Sequence, residues 1–256
     1  MSSATAPGFY GKVPGLGDFV SRRLPRTFID YWDSWLQSVI ATSRMQLGEH
    51  WLNTYLSSPL WRFVLSSGHC GAQPWAGVLM PSVDRVGRYF PLTIAASLPA
   101  GTNPFATAAA ATQWFEEAEA LALSALEADG FDMEDFDASV QGLGSPSNDE
   151  ANAGAALPDP AARAGLQVSL AQASQVSEGF AGVLQQLMAD GGGSFSVWST
   201  EGSDLVEPGL LVSAGLPGEH ACTALLDGQW SQWSWGVLPR AGTAGAATVA
   251  PAPEEF

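Results

Sequence analysis

The sequence is short of the residues that most chemistry requires. Two cysteines in 256 residues exclude a disulfide-built scaffold and fit a reducing compartment. Three histidines leave little scope for imidazole acid–base catalysis. Charged residues are 14% of the chain, where roughly 25% is usual. Only ten are Lys or Arg against 26 Asp and Glu, so the net charge is −16. A field of that sign repels phosphate and offers few of the cationic contacts that nucleic acid demands. Neither nucleic acid nor an anionic membrane surface is expected as a partner. No uninterrupted apolar run reaches the ~18 residues of a membrane span, and the opening MSSATAPGFYGKV has neither the charged region nor the apolar stretch of a secretory signal. The expectation is a cytoplasmic protein without membrane insertion.

The motifs of common ligand sites are missing as well. GKVPGLGD follows a strand-like run, but Gly17 is succeeded by Asp18 and Phe19. A phosphate loop needs Lys and a hydroxyl residue there. No GxGxxG opens a helix in a strand–helix–strand unit, and no GxSxG elbow occurs. His69-Cys70 and His220-x-Cys222 lack zinc-site spacing, because neighbours on an extended chain point apart. The acids of 129–137 do not follow the order of a calcium loop. No cofactor or metal is expected. Gly68-His69-Cys70-Gly71 leaves one catalytic alternative, a hydrolase using Cys70 with His69. A reactive thiol there needs a placed cation to lower its pKa, so no catalytic residue is assigned and the protein is read as a non-enzyme.

What the chain does have is apolar bulk. Hydrophobic residues are 46% and ten are tryptophan, enough to bury a sizeable core. The punctuation predicts residues 1–8 as a disordered start, one domain over 9–240, an acidic connector over about 144–176 and a low-complexity tail over 241–256. Phe28, Trp32, Trp35, Leu36, Val39 and Ile40 recur at helical steps between Pro25 and Gly48. A short helix is expected over 51–56, strands over 9–13, 60–66, 75–80 and 88–98, and one long alanine-rich helix over 103–128. A short acidic helix is expected near 132–143, another over 178–189, strands over 195–199 and 209–213, and a last short helix over 219–227. Trp233 and Trp235 are expected on one face of a strand. Helices and strands alternating around a central hairpin predict an α/β fold, a three-layer αβα sandwich with a mixed, partly antiparallel sheet.

Charge is unevenly placed. Residues 1–100 hold eight of the ten basic residues and five acids; residues 101–256 hold two and 21. Six of the ten lie in two short segments: Lys12, Arg22, Arg23 and Arg26 around the glycine-rich turn, and Arg85 and Arg88 in the hairpin loop beside Asp84. Opposed charge on two parts of one molecule suits docking to a protein. Lys12, Asp18, Arg22, Arg23, Asp84, Arg85 and Arg88 are the partner-binding candidates.

These segments carry a resemblance. Gly11-Lys12-Val13-Pro14, Gly17-Asp18-Phe19-Val20, Arg23-Leu24-Pro25 and the helix with Trp32-Asp33-x-Trp35-Leu36 resemble the opening of the TagF (ImpM) family of type VI secretion-associated proteins. Pro59-x-Trp61-x-Phe63 and the run from Trp75-x-Gly77 through Pro81-Ser82-x-Asp84-x-Val86-Gly87-Arg88-Tyr89-Phe90-Pro91 resemble its second signature. The match is most specific over residues 9–98. The resemblance implies a non-catalytic, post-translational repressor of type VI secretion assembly that acts around the FHA-domain scaffold protein and against a kinase-dependent activation route. A structural or accessory subunit of the apparatus is the alternative. It implies too that the motif glycines serve backbone conformation and that Asp18 and Arg23 form a buried pair.

Overall fold

A computed structural model describes residues 6–127, 131–146, 166–168 and 176–239. The tail, most of the connector and residues 1–5 of the expected N-terminal extension lie outside this set. Seven strands form one sheet: β1 (Gly8–Gly11), β2 (Val20–Arg22), β3 (Trp61–Leu65), β4 (Trp75–Met80), β5 (Leu92–Ser97), β6 (Phe195–Thr200) and β7 (Gly209–Ala214). The helices are α1 (Arg26–Leu47), α2 (Trp51–Leu56), α3 (Pro104–Ala110), α4 (Thr112–Ser124), α5 (Met133–Gly142), α6 (Val176–Asp190) and α7 (Ala224–Asp227).

The strand order is β2-β1-β5-β4-β3-β6-β7, and every neighbouring pair of strands is antiparallel. The mixed sheet expected from the sequence is therefore corrected. Parallel neighbours require a crossover that returns to the adjacent position. Here α1 and α2 carry the chain from β2 to β3, which run in the same sense but have β1, β5 and β4 between them.

Side chains alternate across the pleat, so each strand feeds two cores. On one face Phe28, Trp32 and Leu36 of α1 pack against Trp61, Phe63, Leu65, Trp75 and Trp198. Trp32 is fully buried there and its indole N–H donates to Thr93 Oγ1 at 2.9 Å, which satisfies the one polar atom of the ring. On the other face Val64, Ala76, Val78, Leu92 and Ile94 meet Trp114, Phe115, Ala118 and Ala122 of α4, with Phe136 and Val140 of α5 closing over Phe9. Phe105 of α3 stacks on Phe195 and is joined by Ala181 and Met188 of α6. Helices thus cover both faces of the sheet.

α1 starts after Pro25 and stops at Gly48, whose φ of 53° suits a residue without a Cβ. The alanine-rich segment departs from expectation. Asn103 caps it by accepting from the amides of Phe105 and Ala106, as its side chain suits. The helix then breaks at buried Ala111 (φ −84°, ψ 30°). The break lets α3 lie over β3 and β6 while α4 lies over β4 and β5. The tryptophan strand is also corrected. Residues 230–234 form a turn in which Trp233 donates to Asp227 Oδ2 at 2.8 Å and Trp235 to the Ala221 carbonyl at 2.9 Å.

Candidate interaction surface

The two basic segments that are remote in sequence lie against each other. β1 and β2 form a hairpin at one end of the sheet, and the loop 81–91 between β4 and β5 folds onto its turn. The Arg85 amide donates to the Leu16 carbonyl at 2.9 Å, and the Arg88 guanidinium to the Gly17 carbonyl. Inside the loop, Asp84 is the organising residue. Its Oδ1 accepts from the amides of Val86 (3.0 Å) and Arg88 (2.9 Å), which draws the chain into a tight turn with Gly87 at φ 84°. Its Oδ2 accepts from Lys12 Nζ at 2.8 Å and Arg88 Nε at 2.7 Å.

The Lys12–Asp84 pair is buried, with side-chain exposures of 5% and 0%. Burial alone pushes the Asp84 carboxyl up. The Lys12 ammonium, the Arg88 amide and guanidinium and the Val86 amide outweigh it and hold the group well below the usual carboxylate range. A carboxylate with four donors stays ionised where a lone one would not. Lys12 also lies 4.9 Å from the centroid of Phe19, a cation–π contact. That ring stacks on Tyr10 and meets Phe90 edge-on. From below, the Tyr55 hydroxyl donates to the Ser82 carbonyl at 3.0 Å and accepts from its amide at 3.1 Å.

The seven candidates therefore divide. Lys12 and Asp84 are buried and paired with each other inside the molecule. Arg23 turns to α5, donating to Asp137 Oδ1 at 2.5 Å and to the Pro7 carbonyl at 2.6 Å, with its own backbone at φ 59°. The expected Asp18–Arg23 pair does not exist: Asp18 is exposed and accepts from the Phe19 amide. The buried pair of this region is Lys12–Asp84, 72 residues apart. Asp18, Arg22, Arg85 and Arg88 remain on the surface with Phe19 and Val86, the last 65% exposed. Sequence reasoning passed over Tyr10, Phe19 and Tyr55. Of the three, only Phe19 lies within a motif named above, Gly17-Asp18-Phe19-Val20.

Close approach accounts for two motif glycines. A Cβ on Gly11 (φ 141°) would lie 2.1 Å from the Pro91 carbonyl oxygen, and one on Gly77 would lie 2.4 Å from the Ile94 oxygen and 2.5 Å from the Phe63 ring. Both positions admit glycine alone, since a side chain would collide with backbone.

Cys70 is buried, and burial pushes its thiol up to about 12. His69 is bonded through Nδ1 to Ser194 Oγ at 3.3 Å. A further strong pair, Arg62 with Glu119, is a bidentate contact at 2.7 Å on both arms that ties β3 to α4. Among the described residues no group of His, Cys, Asp and Glu has metal-site geometry. No helix among them is long and apolar enough to cross a membrane.

The family model of the TagF N-terminal domain, type VI secretion system-associated, matches residues 8–143. The chain belongs to this family. The matched region contains both halves of the Lys12–Asp84 clamp. The chain is similar to PA0076 from Pseudomonas aeruginosa PAO1, a crystal structure at 2.05 Å resolution. The two share 39% identity over 92% of this chain and 98% of that one, with a TM-score of 0.70. No curated protein matches the chain. The TagF chain is thus type VI secretion-associated.

Proposed function

We propose that this protein is a non-catalytic, cytoplasmic, post-translational repressor of type VI secretion assembly, and that it acts by covering a surface of another secretion protein. The FHA-domain scaffold is the partner to test first. One observation carries the reading. The exposed tip Arg85-Val86-Gly87-Arg88 stands on a buried, fully paired Lys12–Asp84 base, so a cationic and apolar prominence is held in one shape before any partner arrives. Preorganisation of this kind spares the ordering cost of binding, and the basic tip steers an acidic partner face. The loop rests on the end of a sheet that we read as the middle of three layers. The inaccessible Cys70 thiol favours this function over a thiol hydrolase. The test is binding of purified FHA-domain scaffold by interferometry to wild type and to Arg85→Glu/Val86→Asp, two residues that contribute backbone amides to the loop contacts and side chains to the exposed tip. The variant is expected to bind about tenfold more weakly or worse, chiefly through a slower association rate. Equal association and affinity would overturn the docking surface.

A further inference from the structure

We propose that two copies of this chain associate across β7, joining their sheets edge to edge about a two-fold axis. β7 is the outermost strand, and among the described residues β6 is its strand partner. Its six residues, GLLVSA, contain no charge and no proline. Edge strands that must stay single are blunted by charge, proline or shortness, and β7 has none of these. Leu210 and Val212, 66% and 40% exposed, lie opposite Ser199 and Val197 of β6, on the face that Phe195 and Val197 present to α3 and α6.

The helix layer continues this apolar edge. α5 lies against β1, α4 over β4 and β5, α3 over β3 and β6, and α6 beside α3, so among the described residues α6 is the last helix of this layer toward the β7 end. Ala181 and Met188 of α6 turn inward, while Phe180, Leu184 and Leu187 stand 44–59% exposed at helical spacing. No charged residue lies between Gly179 and Ala189.

The occupant that this geometry favours is a second copy. An antiparallel β7–β7 pair continues the alternation of the whole sheet and places Leu210 and Val212 of both copies on one face. It also brings the two α6 stripes to the same side of the joined sheet. The acids near β7, Glu201, Asp204 and Glu207, precede its first residue. Antiparallel pairing therefore sets the two acidic clusters at opposite ends of the seam, so the paired strands of a chain of net charge −16 carry no charge themselves, and the two acids of α6, Glu178 and Asp190, stand toward its ends. A stable interface covers roughly 800 Å² on each partner. The five half-exposed side chains supply several hundred Å² of that order, and the strand backbone adds hydrogen bonds.

Sedimentation equilibrium of the full chain tests this. Wild type is expected at twice 26.8 kDa at high concentration, dissociating on dilution, with slower hydrogen exchange at β7 amides in the concentrated sample. Leu210→Lys and Val212→Lys, at exposed positions, should each weaken association roughly a hundredfold by placing in the apolar seam a charge that must lose its water. Unchanged thermal melting would show that both remain folded. Arg22→Glu on the opposite sheet edge should leave the dimer intact. A monomer at all concentrations, a dimer indifferent to both lysine variants or lost in Arg22→Glu, or an assembly of more than two chains would overturn the proposal.

Discussion

The sheet ends in two contrasting strands. β2 is three residues long, exposes Ser21 and Arg22, and is flanked by Asp18 and Arg23. The loop 81–91 folds onto the turn beside it, and α5 grips Arg23 through Asp137. β7 is twice as long, carries no charge, and shows alternate aliphatic side chains to solvent. Charge at the first end blocks strand addition and offers side chains to a partner; its absence at the second leaves the backbone as the available surface. One antiparallel sheet can therefore carry two recognition modes, provided that the polar one is stiffened from within. The buried ion pair provides that stiffness.

The largest expected effect lies in that pair. Lys12→Met leaves the buried Asp84 carboxylate without its ammonium and should lower the thermal midpoint by roughly ten degrees. Leu210→Lys at the other end should move it by no more than about two degrees. Comparable shifts in the two variants, followed by circular dichroism, would erase the distinction between a load-carrying charged end and a free apolar one.

Acid should separate the ends further. Asp84 is held below the ordinary carboxylate value, so its contribution is complete above that value and is lost as pH falls beneath it. The gap in midpoint between wild type and Lys12→Met should therefore narrow below about pH 4. A gap that persists unchanged in acid would show that Lys12 acts through packing alone. The smallest effect belongs to the β7 end. His69 sits beside Ser194 and Gly215, with Nε2 buried and without a hydrogen-bond partner among the described residues. Burial lowers its pKa, against a smaller upward pull from the Phe195 backbone. The neutral ring is thus the folded form, and stability should fall modestly as pH drops below about 6.5. His69→Gln should flatten that slope in melts recorded across this range, and an unaltered slope would assign it to another group.

Much of the local structure was legible because its signals are local. Pro25 and Gly48 bracket α1, and the steps from Phe28 to Leu36 already marked its buried stripe. Asn103 announced its helix by a capping bond that spans only two or three residues. The break at Ala111 left no such mark, since alanine suits a helix on either side and the interruption answers to strands that α3 and α4 cover separately. Trp233 and Trp235 alternate as strand residues do, yet their indole N–H groups are satisfied by Asp227 and Ala221 across a turn.

The amino-acid sequence by itself determined the α/β class, the span of the main helix, the poverty of catalytic side chains and the two short basic segments. It carried the resemblance to TagF too, on motifs that include Gly11 and Gly77, where close approach leaves no room for a Cβ. Only the tertiary structure decided that Lys12 pairs with Asp84 and Arg23 with Asp137, that all neighbouring strands run antiparallel, and that β7 stands at an edge. Those outcomes join residues far apart in the chain, Arg23 to Asp137 across 114 positions and Arg62 to Ser199 across still more. Pairing at such distances depends on how a whole sheet closes around two cores, and local propensity holds no record of it.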